Sequence, residues 1–336
     1  MFSKAVLALD CAKTTEQIEG AIRNIVLRDL RRRGAVVGMS GGVDSSVVAA
    51  LCVRALGSDR VVGLFMPERD SADDSLRLGD ELARRLGIRT ELVNVGPTLE
   101  TMGCYNFRDE AIRRVFPEYG EGWKSKLTLP PLSDRPRFNI YSIVVQSPEG
   151  EIRQSVLPLD AYLQVVAATN MKQRTRKLTE YFHAERLNYA VAGTPNRLEY
   201  DQGFFVKYGD GASDFKPIAH LYKSQVFALA EYLEIPEEIR SRSPTTDTYS
   251  LQQTQEEFYF ALDYKAMDLC LWAFNHGISV EEAASAGNLT PAQVAQAYRD
   301  IETKRRATAF LHRGPILVEE VPEIHPPNNR VDRQRE

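Results

Sequence analysis

The segment Ser40-Gly41-Gly42-Val43-Asp44-Ser45-Ser46 concentrates residues that can handle an anion. Adjacent glycines let a backbone come close to a ligand, and the N–H groups at the start of a following helix then face a negative charge. Ser40, Ser45 and Ser46 add hydroxyl donors for phosphate oxygens. Asp44 by itself would repel phosphate. A hard cation such as Mg2+ removes that conflict, because carboxylate and phosphate oxygens can share it. The lysine of G-x-x-x-x-G-K-[ST] is missing, so the turn is not a Walker loop. The competing explanation is a tight strand–helix turn in which Asp44 only caps the helix.

The flanking pattern supplies the elements that must hold this turn. Ala35–Met39 reads as a short apolar strand and the stretch from about Asp44 to Leu56 as a helix. Val61–Phe65 predicts a second strand, residues 73–86 a crossing helix stopped by Gly87, and Glu91–Val95 a third strand. A long helix over about 158–186 leads into a further core strand, Asn188–Ala192. Upstream, residues 15–32 form an amphipathic helix with Ile18, Ile22, Ile25, Val26 and Leu30 on one side, closed by Arg31–Gly34. Alternating strands and helices predict an α/β fold, a parallel sheet with helices on both faces. Ligands in such sheets lie beyond the carboxyl ends of the strands, the edge from which 40–43 and the loops after Phe65 and Ala192 depart.

Residues 97–157 interrupt the alternation with scattered aromatics (Tyr105, Phe107, Phe116, Tyr119, Trp123), a proline-rich piece Pro130–Pro136 and a β-hairpin turning at Ser147–Gly150. They are expected to form an insertion within a single domain spanning residues 1–315. Residues 221–311 read as helical. Residues 316–336 form a tail, and the proline-broken polar end 325–336 is expected to be disordered.

Composition narrows the class. The 336 residues are 43% hydrophobic and 26% charged, the mix of an ordinary globular chain. Lys and Arg number 42 against 46 Asp and Glu, so no chain-wide basic footprint for nucleic acid exists. The cysteines Cys11, Cys52, Cys104 and Cys270 lie too far apart for a zinc or redox motif. No apolar run reaches the ~20 residues of a membrane span, and the start lacks a cleavage region. The expected compartment is the cytoplasm, with no membrane and no nucleic-acid partner.

A second set of motifs lies downstream. NMKQRTRK (170–177) carries Lys172, Arg174, Arg176 and Lys177, four bases that call for a nearby anion or a solvated face. GTPNRLE follows the strand at 188–192, with Thr194 and Glu199 at the ligand edge. GFFVKYGDGASDFKPIAHLYKSQV (203–226) holds a glycine-rich loop beside Lys207, Asp214 and Lys223.

The first turn resembles the signature of N-type ATP pyrophosphatases. The whole ordered set resembles the ammonia-dependent NAD synthetases: S-G-G-x-D-S, a basic helix, a G-T-x-N-x-x-E turn, and a K-Y-G-D-G loop followed by L-Y-K-S-Q-V. The likeness covers about residues 15–311 apart from the insertion. It implies an adenine-nucleotide alpha hydrolase-like (Rossmann-like) fold with a helical C-terminal part. It also implies ATP contacts at Gly38, Met39, Ser40, Gly41, Gly42, Val43, Asp44, Ser45, Ser46, Thr194, Lys223 and Thr245. Asp44 and Glu199 would hold Mg2+. Arg174, Lys207, Asp214, Thr303 and Lys304 would contact deamido-NAD, and Asp44, Lys207 and Lys223 would be catalytic. Thr303 stands where the family commonly has histidine, Ala212 replaces a glycine, and Pro195 and Leu198 alter the G-T-x-N-x-x-E turn.

The implied reaction amidates the nicotinic acid carboxylate of deamido-NAD. That carboxylate attacks the α-phosphate of ATP, pyrophosphate leaves, and ammonia displaces AMP from the acyl adenylate. Residues 67–75 and 200–215 are the candidate closing loops. A homodimer is implied, and ammonia is expected free or from a separate glutaminase. The alternatives are an amide ligase for a different carboxylic acid, suggested by the insertion and Thr303, a tRNA-modifying enzyme, and a non-catalytic nucleotide binder.

Overall fold

A computed structural model of the protein describes residues 2–71, 73–128, 142–243, 249–260, 262–319, 321 and 323. The readings of Pro130–Pro136, Thr245 and residues 325–336 lie outside them.

Asp10 starts the first helix by accepting a hydrogen bond from Lys13 N at 3.1 Å. Helix α1 (Cys11–Arg23) buries Ile18 and Ile22 and continues as wider turns over Asn24–Asp29, which bury Val26. Strand β1 (Ala35–Gly38), helix α2 (Val43–Leu56), strand β2 (Val61–Phe65), helix α3 (Asp73–Leu86) and strand β3 (Arg89–Leu92) follow in the alternating order. Two short helices, α4 (Gly96–Thr101) and α5 (Cys104–Arg113), come next, then strands β4 (Lys124–Thr128), β5 (Ser142–Gln146) and β6 (Ile152–Val156). The long helix α6 (Leu159–Leu187) returns the chain to strand β7 (Ala190–Ala192). Helices α7 (Arg197–Gln202), α8 (Lys223–Tyr232), α9 (Glu237–Arg240), α10 (Tyr264–Asn275), α11 (Val280–Gly287) and α12 (Pro291–Thr308) follow.

The main sheet runs β3-β2-β1-β7, all parallel, with Val36 opposite Val62 on one side and Val191 on the other. Alternation sends the side chains of β1 to opposite faces. Ala35 and Val37 join a core built from α1, α2, α3 and α8, while Val36 joins a second core with α4, α5 and α6. The fold is thus α/β with the sheet covered on both faces, as expected. The third strand begins two residues earlier than its apolar stretch suggested. Val93 and Val95 still donate to Phe65 O (2.9 Å) and Pro67 O (3.0 Å), so the apolar signal marks the buried exit of the strand.

The hairpin at 142–156 forms, with Ser147 N donating to Glu151 O at 2.9 Å across the turn. A further strand, β4, pairs antiparallel with β5 and makes a three-stranded sheet. Its sequence KSKLT is mostly polar, so only Ser125, Leu127 and Thr128 turn inward and the pattern was faint. Leu127, Ile143 and Val145 pack with Ala161 and Val165 of α6, so this sheet shares its core with the long helix. Helices α4 and α5 also lie within the stretch expected to interrupt the alternation. The first is barely more than a turn with proline at its start, and Gly103, at φ +75°, breaks the chain between them.

Candidate active site

A cavity of about 950 Å³ opens at the carboxyl ends of β1, β2 and β7, walled also by α6, α8 and α12. That is the size of a small-molecule site.

The turn after β1 forms one wall. Gly41 has φ +72°, and a Cβ there would lie 2.4 Å from Ser75 O, so only glycine fits. Ser45 Oγ donates to Gly42 O (3.1 Å) and accepts from Ser40 N (3.3 Å). Ser46 Oγ donates to Gly42 O at 2.8 Å and is fully buried behind the wall. The serines therefore brace the turn internally, and Ser46 does not reach the cavity lining. No side chain caps α2, which leaves the unpaired amides of its first turn for an anion.

Asp44, Glu199 and Lys223 meet on the cavity wall. Lys223 Nζ bonds Asp44 Oδ2, and its side chain is only 2% exposed. Asn196 ties the two carboxylates together. Its Nδ2 donates to Asp44 Oδ1 at 3.1 Å and its backbone N to Glu199 Oε2 at 3.0 Å. Asn196 is also the N-cap of α7, with Glu199 at the third helical position completing a capping box. Burial first, and the Asp44 carboxylate second, push Glu199 up to about 8. Burial opposes the Lys223 charge, but Asp44, Glu199 and Asp268 outweigh it and hold the ammonium above its ordinary range. Asp268 of α10 accepts from Lys223 N (3.1 Å) and Ser224 N (2.6 Å) and so fixes the start of α8.

This cluster sets two carboxylates against a single ammonium. Hard oxygen donors lacking a full counter-charge suit Mg2+. No group of three or more His, Cys, Asp or Glu side chains that could hold a metal occurs among the described residues. Asp44 and Glu199 as a pair fit an ion that takes one or two carboxylates and completes its shell with water and substrate phosphates.

The other sequence-expected residues divide. Gly38, Met39, Thr194, Thr303 and Lys304 line the cavity. Lys304 is buried, pairs with Asp300 at 2.8 Å and donates to Tyr259 O at 2.6 Å. Arg174, Lys207 and Asp214 are not on its wall. Arg174 Nε donates to Lys207 O at 3.3 Å, and Lys207 Nζ to Phe310 O at 2.9 Å, both in exposed positions. Asp214 accepts from Tyr181 OH (3.3 Å) and Val191 N (2.7 Å), which ties the 203–226 segment to β7.

The four bases at 170–177 lie in mid-helix, and the anions facing three of them belong to the protein. Lys172 pairs with Glu68 (3.0 Å) and Asp70 (2.6 Å), Arg176 with Glu68 (3.9 Å), and Lys177 with Glu180 (2.6 Å). Arg108 pairs with Asp70 at 2.7 Å, and Tyr105 OH donates to Glu68 at 2.8 Å. Arg176 Nε donates to Met66 O at 3.2 Å and Nη2 to Ser71 Oγ at 3.3 Å. Glu68 and Asp70, within the expected closing loop 67–75, are therefore held by buried ion pairs to α5 and α6. Asn196, Asp268, Arg176 and Glu180 were missed as site residues. Asn196 had a local signal, the N-x-x-E capping spacing, and Arg176 lay in the basic run at 170–177, while Asp268 and Glu180 had none.

The NAD synthase family matches residues 14–116 and 137–309. The NH(3)-dependent NAD(+) synthetase of Mesorhizobium japonicum is 58% identical over 318 residues, 95% of this chain and 100% of that protein. The protein of the same name from Thermotoga maritima is 39% identical over 73% of this chain and 81% of its own length. Among solved structures, the NMN synthetase of Francisella tularensis has a TM-score of 0.63 at 21% identity, covering 92% of this chain and 99% of that one. An NH3-dependent NAD synthetase from Campylobacter jejuni reaches 0.57 at 23%, covering 93% and 100%. These two share the fold. The family match spans most of the chain and the relatives are well above the identity at which membership is in question, so this chain belongs to the NAD synthase family.

Proposed function

We propose that the chain converts deamido-NAD to NAD, joining ammonia to the nicotinic acid carboxylate while ATP becomes AMP and pyrophosphate. The observation that carries this reading is the Asp44–Asn196–Glu199–Lys223 cluster on the cavity wall beside the glycine turn. An ionised carboxylate resists ammonia because oxide is a poor leaving group, and the acyl adenylate replaces oxide with AMP. Adenylyl transfer needs positioning and charge neutralisation more than a protein nucleophile.

In this reading the amides of the α2 N-terminus and the hydroxyl of Ser40 bind ATP phosphates, with Gly38, Met39, Gly41, Gly42, Val43, Ser45, Thr194 and Thr245 around the nucleotide. Ser46 supports the turn from behind. Asp44 and Glu199 hold Mg2+, which when bound neutralises phosphate charge. Lys223 stays protonated beside them and offers its ammonium to the leaving pyrophosphate. Thr303 and Lys304 face deamido-NAD from α12. Arg174, Lys207 and Asp214 join that substrate only if the 203–226 segment rearranges or a second copy completes the site.

A homodimer accounts for apolar side chains left exposed along α6, among them Leu159, Leu163, Leu178 and Phe182 at 72%, 55%, 71% and 60%. Among the described residues no helix is long and apolar enough to cross a membrane. The cytoplasm and a separate glutaminase as ammonia source remain part of the proposal.

The test incubates the protein with ATP, Mg2+ and ammonium, with and without deamido-NAD, and identifies products by mass spectrometry. The expected result is NAD, AMP and pyrophosphate in equal amounts only when deamido-NAD is present. ADP as the spent nucleotide overturns the reading. Turnover with another acid but not deamido-NAD would favour the different-acid ligase.

A further inference from the structure

Glu199 has one carboxylate oxygen held by the backbone of its own capping box. The other, Oε1, accepts a hydrogen bond from Gln255 Nε2 at 2.9 Å. Gln255 lies on the cavity wall but comes from a different part of the chain, between α9 and α10. The residues just before it run along β4. Leu251 N donates to Ser125 O (3.2 Å), Ser125 N to Ser250 Oγ (2.9 Å), and Lys126 Nζ to Gln252 O (3.3 Å). Gln253 Nε2 donates to Leu127 O, deep in the interface. Strand β4, Lys124–Thr128, lies wholly within residues 117–136, which the family match leaves out.

We propose that Gln255 is a positioning residue for the Glu199 carboxylate, and that the three-stranded sheet anchors it through residues 250–253. The proposal rests on the reading of Glu199 as a Mg2+-holding carboxylate. A ligating carboxylate works best when its orientation is fixed before the ion arrives, and hydrogen bonds to its oxygens fix it. The capping box alone holds one oxygen and leaves the carboxylate free to turn about it. Gln255 removes that freedom, since a neutral amide donor can hold the second oxygen without cancelling its charge. The sheet edge holds the donor by backbone and side-chain bonds on both sides of Ser125. A segment outside the family match thereby acquires a role at the reaction centre, although none of its described residues reaches the cavity wall.

The test is a Mn2+ titration followed by electron paramagnetic resonance, with the full chain and a non-hydrolysable α,β-methylene analogue of ATP. Wild type is compared with Gln255→Leu, Ser250→Ala and Glu199→Gln. Gln255→Leu is expected to bind Mn2+ about 10-fold more weakly. In turnover it should raise the KM for Mg2+ while kcat at saturating Mg2+ stays close to wild type, a split that mere loosening of the fold does not produce. Ser250→Ala should weaken Mn2+ binding about 3-fold, the share of a single lost anchor, and it keeps the question open to measurement if Gln255→Leu folds badly. Wild-type Mn2+ affinity in Gln255→Leu, with binding lost in Glu199→Gln, overturns the positioning role and leaves the site reading intact. Unchanged binding in Ser250→Ala overturns the part assigned to the sheet. Retention of tight Mn2+ binding by Glu199→Gln overturns the metal reading itself.

Discussion

This protein holds two clusters of largely buried charge, and their balance differs. Behind the loop after β2, Glu68 and Asp70 face Lys172 and Arg108, with Asp109 and Arg176 at the margin. Each carboxylate there has a cation within bonding distance, and Asp70 sits below its usual range because Lys172 and Arg108 outweigh the burial that would raise it. At the glycine turn, Asp44 and Glu199 share Lys223, and Glu199 is pushed up to about 8. A balanced buried network fixes a backbone. An unbalanced one at the edge of a cavity is where the proposed Mg2+ would supply the missing positive charge.

The sharpest way to break this comparison is Asp44→Asn. The variant loses charge where the cluster is already short of cation, so its fold should persist while kcat/KM falls by about 1,000-fold, the scale of losing a preorganised charge at a reacting phosphate. Steady-state turnover together with a thermal melt checks both halves. Near-normal turnover would show that the cluster is structural like its neighbour.

The converse variant is Asp70→Asn. It removes one anion from the balanced network and leaves Lys172 and Arg108 short of charge, at an expected cost of about 3 kcal/mol at pH 7. The folded carboxyl is held below its unfolded value of 3.8, so its contribution is present above that value and lost as pH falls through the folded one. The gap between wild type and variant in urea unfolding should therefore narrow below about pH 4. A constant gap across pH 3–7 would mean that the loss is one of packing and not of charge.

A third measurement asks whether the unbalanced cluster gains from what it lacks. Saturating Mg2+ with a non-hydrolysable ATP analogue at about 100 times its Kd should stabilise wild type by about 2.7 kcal/mol. The same addition to Asp44→Asn should give a much smaller rise in melting temperature. Equal rises in both proteins would detach Asp44 from the nucleotide.

The same contrast explains what could be read from the sequence. The glycine turn is local: Gly41 at φ +72°, the short strand before it and the apolar helix after it are adjacent in the chain, and all were legible. So were β2, α3 and the hairpin turn. The balanced network was not, because Glu68 and Lys172 are 104 residues apart and their pairing is settled only when α6 crosses the sheet. The bases at 170–177 carried a true signal, a need for anions, but the sequence could not say that Glu68, Asp70 and Glu180 were the answer. Strand β4 escaped because its residues are mostly polar, and Gln255 because nothing nearby in the sequence marks its target.

The smallest expected effect tests whether the unbalanced cluster depends on support as well as charge. Asp268 is not on the cavity wall and bears on it at the α8 start, where it accepts from Lys223 N and Ser224 N. Burial first pushes its carboxyl up to about 6, with those same donors pulling it back. Asp268→Asn keeps one acceptor oxygen and the shape but loses the second, so the cap should weaken by about 1 kcal/mol. If the start of α8 serves to aim the Lys223 ammonium, kcat should fall several-fold while the KM for deamido-NAD stays near wild type. An equal fall in stability with unchanged kcat would mean that Lys223 is aimed by Asp44 alone, and that the cluster orders itself.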